Sequence, residues 1–195
     1  MVRAREFDEQ DVLRAAMHLF WEKGYEATSL SDLTSRMGIQ RPSIYAAFGS
    51  KEGLFEAALR KYIQHHASQV REQFQNKTSA KEAFQSYFAS LVAREYAEDG
   101  KPSRGCFCIN TMVELAAHDE KFEILTREHQ LYLSVVFQET IERGIRSGEL
   151  QDAANAQALA QTLVISLIGL TVFMKSRPSR SFVDNAVETI LSMIN

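Results

Sequence analysis

What most constrains this chain is how seldom it is interrupted. Its 195 residues include only nine glycines and three prolines, so few positions force a helix to end. Apolar side chains recur at helical spacing throughout. Leu13, Ala16, Met17 and Phe20 fall at i, i+3, i+4 and i+7, one stripe of an amphipathic helix, and Phe84, Tyr87, Phe88 and Leu91 form another. No segment alternates with the period of a strand, and a β-sandwich or barrel of this length needs many more turn residues. The fold class is therefore all-α. A composition of 45% hydrophobic and 24% charged residues is that of an ordinary globular protein. Disorder would need fewer apolar residues and a larger net charge.

The breaks that do occur divide the chain unevenly. Gly24 after Lys23 ends the first helix. Ser29-Leu30-Ser31-Asp32 is a capping box that opens a short second helix, ended by Gly38. A third helix runs from roughly Arg41 to Ala47, with Pro42 tolerated in its first turn. Gly49-Ser50 breaks again, and Ser50 caps a long helix. Three helices thus lie within the first 50 residues, the last two joined by a tight turn. The segment 98–103 is the clearest loop, and later helices are expected at roughly 104–117, 120–147, 153–176 and 180–194. About nine helices result: a helix-turn-helix domain over 1–50 and a larger helical bundle over 51–195. The longest apolar stretch, Leu163 to Met174, falls short of the ~18 residues that span a membrane and reads as a buried helix.

Gly24-Tyr25-Glu26-Ala27-Thr28-Ser29 through Tyr45-Ala46-Ala47-Phe48-Gly49-Ser50-Lys51-Glu52 resembles the DNA-binding domain of TetR-family transcriptional regulators. The aromatic-glycine turn, the Thr-Ser cap, the glycine before the turn, Tyr-x-x-Phe and Ser-Lys-Glu follow in that family's order and spacing, over about residues 8 to 60. Gly105-Cys106-Phe107 with Asn110 and Glu114 is similar to the sixth helix of one subgroup. Leu33-Thr34 departs from the commoner Ile-Ala, and Ala46-Ala47 removes side chains that could reach DNA.

In a helix-turn-helix the second helix presents its N-terminal residues to base edges in the major groove. Here these are Gln40, Arg41, Pro42 and Ser43. Arg41 can pair with guanine, Gln40 with adenine, and Pro42 can meet a thymine methyl. Thr28, Ser29, Arg36, Tyr45 and Lys51 are the candidates for phosphate contacts, which fix register. The whole chain carries a formal charge of −3, so a basic face must be local. From Ser31 to Lys51, Arg36, Arg41 and Lys51 stand against Asp32 alone. Ile39, Ile44 and Phe48 are read as core, and Trp21 as packing.

One such module makes a small interface, so a homodimer on an inverted-repeat operator is expected, with half-sites about one helical turn apart or more, ~34–36 Å. The last two helices are the candidate dimer surface. The final one carries a stripe of Val183, Val187, Ile190 and Ile194 that could equally be core. An effector pocket is expected among Phe84, Phe88, Leu91, Cys106, Phe107, Met112, Phe122 and Phe137. Cys106 and Cys108 are candidate redox or electrophile sensors; the helix dipole at Cys106 would favour its thiolate. The bland alternative is two small buried hydrophobes. A metal bound with His118 or His129 has no ligand signature behind it, and no metal or cofactor is expected. His65 and His66 are read on a solvated face. Glu114 is either a pocket acid or a paired core charge.

Two cysteines cannot build a disulfide framework, and the N-terminus has no apolar signal segment, so a cytoplasmic protein without a membrane partner is expected. No Ser/His/Asp or P-loop pattern suggests an enzyme. The function expected is an effector-relieved repressor binding double-stranded DNA. The alternative is a helical small-molecule-binding or thiol-based enzyme domain with an incidental helix-turn-helix.

Overall fold

A computed structural model describes residues 8–96, 104–151 and 155–194; the loop expected at 98–103 lies outside these. The described residues form nine α-helices and no strand: α1 (Glu9–Lys23), α2 (Leu30–Met37), α3 (Arg41–Phe48), α4 (Lys51–Gln75), α5 (Ala80–Glu95), α6 (Phe107–Leu115), α7 (Glu120–Arg146), α8 (Ala156–Met174) and α9 (Arg180–Ser192).

Local chemistry sets the boundaries. Ser29 Oγ accepts from the Asp32 N–H at 3.0 Å, and the Asp32 carboxylate accepts from the Ser29 N–H at 3.0 Å, completing the capping box. Ser50 caps α4 through the Gly53 N–H at 2.9 Å. A Cβ at Gly53 would stand 2.1 Å from the Phe48 carbonyl oxygen, so the end of α3 and the start of α4 approach too closely for any other residue.

Two apolar clusters organise the chain. The first joins α1, α2 and α3 to the early turns of α4, to α6 and to the start of α7. Its hub is Phe55, fully buried, whose ring meets Phe20, Tyr25, Phe107 and Phe122 at centroid distances of 4.9–5.4 Å. The core of the first three helices is thus shared with α4, α6 and α7. The second cluster fills the space between the end of α4, α5, α7, α8 and α9, around Phe74, Phe84 and Phe137.

Helix α8 packs mainly on α7. It is 19 residues long and apolar enough by composition to cross a membrane, yet only 39% of its most apolar window is buried. The expectation of a buried helix therefore holds for one face only. The stripe on α9 is core: Val183, Ile190 and Ile194 are buried and Val187 packs against them. The outward faces of α8 and α9 instead leave Ile165 69%, Phe173 43% and Phe182 56% exposed.

Candidate nucleic-acid interface and ligand cavity

Gly38 closes α2 in the left-handed conformation, and the chain turns through 38–40 into α3. Ile44 is fully buried in the first cluster, with Ile39 and Phe48 packed against it, and this anchors the inner face of α3. The outer face is free. Gln40, Arg41 and Pro42 are exposed, Ser43 is half-buried, and Tyr45 is 50% exposed one turn from Arg41. Neither Arg36 nor Arg41 forms an ion pair among the described residues. Lys51 lies 4.2 Å over the Tyr25 ring, which holds it at the start of α4.

The acid on this face is already engaged. The Ser29 backbone and hydroxyl and the Lys23 ammonium hold the Asp32 carboxyl at about 2, and Lys23 Nζ lies 3.1 Å from it. Asp32 therefore stays anionic but paired. Thr28, expected among the phosphate contacts, is fully buried, and its hydroxyl donates to the Gly24 carbonyl at 2.6 Å. It stabilises the turn from within and has no surface to offer. Ser29 is exposed, but its hydroxyl serves the α2 cap.

Both ends of α6 are tied to the first two helices. At its start, Trp21 Nε1 donates to the carbonyls of Arg104 and Gly105 at 3.1 and 3.2 Å. Near its end, the Glu114 carboxylate accepts from the N–H groups of Tyr25 and Glu26 at 3.1 and 2.9 Å. Glu114 is therefore neither a pocket acid nor an ion-paired core charge: it grips the α1–α2 turn. Gly24 makes room for it, since a Cβ there would lie 2.9 Å from Glu114 Oε2.

A cavity of about 810 Å³ opens between α1, α4, α5, α6, α7 and α8, within the ~300–1,000 Å³ usual for ligand sites. Of the residues expected to line it, Leu91 and Cys106 do. Phe84, Phe88 and Phe137 lie in the second core cluster and Phe107 and Phe122 in the first, and Met112 sits elsewhere on α6. These rings fill the bundle because each is almost completely desolvated there. The cavity uses other residues: Trp21, Tyr62, His66, Tyr87, Arg94 and Ile109 among them. Spacing along the chain could not group them, because they come from four separate helices.

Cys106 sits at the α6 N-cap, half-buried on the cavity wall, with Tyr62 Oη donating to its sulfur at 3.3 Å. Burial pushes its thiol up; the Tyr62 hydroxyl and the amides of Ile109 and Cys108 pull the other way and lose. The dipole-favoured thiolate expected here is outweighed by desolvation. Cys108 is fully buried and pushed up further. His65 is exposed as expected, but His66 is not solvated: its Nδ1 lies 3.0 Å from Nε2 of the buried His129. Burial, then His129 and Arg94, hold His66 at about 3, and burial holds His129 at about 4. His118 is exposed at the α6–α7 turn, and no three His, Cys, Asp or Glu residues are grouped to hold a metal ion among the described residues.

Comparisons with known proteins agree with this arrangement. Residues 12–58 match the model of the family described as bacterial regulatory proteins, tetR family, and residues 84–190 match the tetracyclin repressor-like C-terminal domain. The HTH-type transcriptional regulator YezE of Bacillus subtilis is 32% identical over the full length of both chains. The HTH-type transcriptional repressor ComR of Escherichia coli is 34% identical over 87% of this chain and 80% of its own. Among solved structures, a cysteine-substituted variant of the TetR-family regulator CifR, complexed with 26-bp operator DNA, is 34% identical. It covers 99% of this chain and 100% of its own, with a TM-score of 0.82.

Proposed function

The chain belongs to the TetR family of bacterial regulatory proteins, and on that footing we propose that it is a homodimeric repressor that reads an inverted-repeat operator with α3 and lets go when a small molecule fills the cavity. The observation that carries this reading is the exposed basic tip of α3 on a domain whose α1–α2 turn is held by a cavity-lining helix. Relatives named as a repressor and as a regulator complexed with operator DNA support the DNA partner. The uncovered apolar face of α8 and α9, where the Phe173 and Phe182 rings meet at 5.2 Å, supports a second copy of the chain as its cover. Such a protein acts where the chromosome is, in the cytoplasm.

Coupling runs through α6. Cys106 and Ile109 on this helix face the cavity, and Glu114 at its other end grips the turn before α2. An effector that favours a shifted α6 shifts the heads and their spacing with it, by as much as its affinities for the two arrangements differ. Cys106, and not Cys108, is the thiol an electrophilic effector would meet.

Mobility shift with the DNA upstream of the protein's own gene tests the reading. Binding should fall steeply as salt rises, because phosphate contacts release counterions. Binding that is absent at low salt, or indifferent to salt, would overturn it.

A further inference from the structure

We propose that the cavity takes a small organic anion, a carboxylate on an apolar body; this rests on the effector reading above. The carrying observation is the charge of the lining. Arg14, Lys61, Arg94 and Arg104 supply it, and no Asp or Glu lines the cavity among the described residues. The chain as a whole has more acids than bases, 25 against 22, so this is a local reversal of its balance.

The four cations are not equivalent. Arg14 pairs with Asp11, Arg104 reaches Glu22 at 3.9 Å, and Lys61 donates to the Gln10 side chain. Arg94 donates through Nε to the Ser90 carbonyl at 3.2 Å and pairs with no carboxylate among the described residues. That leaves its two terminal nitrogens, the fork that suits a carboxylate. Its charge is felt inside: it acts on His66, Tyr87 and Cys106, all of which line the cavity.

The deeper wall is apolar. Leu91, Ile109, Leu133 and Leu167 are nearly fully buried, and Trp21 and Tyr87 add rings. An amine would be repelled at the cationic rim, and a neutral ligand would leave Arg94 unanswered. An acid with a hydrocarbon or aryl body meets both surfaces.

Trp21 is the only tryptophan and lines the cavity, so its emission reports occupancy of the full-length protein directly. Octanoate, octanol and octylamine should be titrated against it. Octanoate should bind about tenfold tighter than octanol, the scale of one charge-assisted hydrogen bond, and octylamine weakest. Arg94→Gln should erase the octanoate preference and Arg94→Lys should keep most of it; Arg94 is exposed, so neither threatens the fold. Octanol matching octanoate, octylamine exceeding it, or no response to any of the three would overturn the inference. A parallel mobility shift separates the two readings. Selective octanoate binding that leaves the DNA complex intact would sink the effector reading alone. Release by octanol but not octanoate would sink the anion alone.

Discussion

Glu114 holds two backbone N–H groups of the α1–α2 turn with one carboxylate, across a sequence separation of 89 residues for the first. Glu114→Ala should lower stability by about 1–3 kcal/mol, the range for hydrogen bonds to a charged group, read as a fall in thermal midpoint. It should also weaken effector-induced release more than operator binding itself. Gly24→Ala should cost a similar ~1–3 kcal/mol, because φ of +87° is strained for alanine and the new Cβ meets Glu114. At the DNA face, Arg41→Ala should cost ~1–3 kcal/mol of operator affinity and relax the preference at one base pair, measured by competition with single-site operator variants. Lys51→Ala should weaken all sequences alike and lower the salt slope by about 1. At this scale the sequence was readable where a residue's partner is close in the chain: Ser29 and Asp32 cap as their spacing predicts. It misled at Thr28, whose hydroxyl turns inward to Gly24, and it left Glu114 open, because its partners come from a distant segment.

Helix ends were legible from glycines and capping side chains, and the structure agrees to within a few residues from α1 to α9. Which face of each helix lies inside was harder to read. The α9 stripe and all five of the expected pocket phenylalanines are core, since periodicity reports that a face is apolar without saying what covers it. Phe55 shows how much one such residue joins: Phe55→Ala should cost about 3–5 kcal/mol and loosen α1 from α6 and α7 together, seen as a lower midpoint with faster amide exchange in all three. The α4–α7 contact carries a pH dependence. His66 and His129 are held at about 3 and about 4, below the ordinary 6.5. The unfolded chain therefore binds protons that the native state refuses, and stability is complete above pH 6.5 and drains as pH falls toward 4. His129→Gln should flatten this limb of a midpoint-versus-pH curve; an unchanged slope would show that the pair does not set it.

For the molecule as a whole, charge is arranged by place more than by amount. A chain of net −3 keeps an exposed basic tip on α3 and a cationic cavity, while most of its acids lie elsewhere on the surface. The outward side of α8 and α9 is the other large-scale feature, and it bears on how the protein exists at all. A lone protomer would carry Ile165, Phe173 and Phe182 bare to water. If a second copy hides them, as proposed above, association is part of what keeps the native state populated, and the thermal midpoint should climb with protein concentration and slip on dilution. Concentration in the test tube and abundance in the cell would thus decide what share of the copies stands covered at any moment.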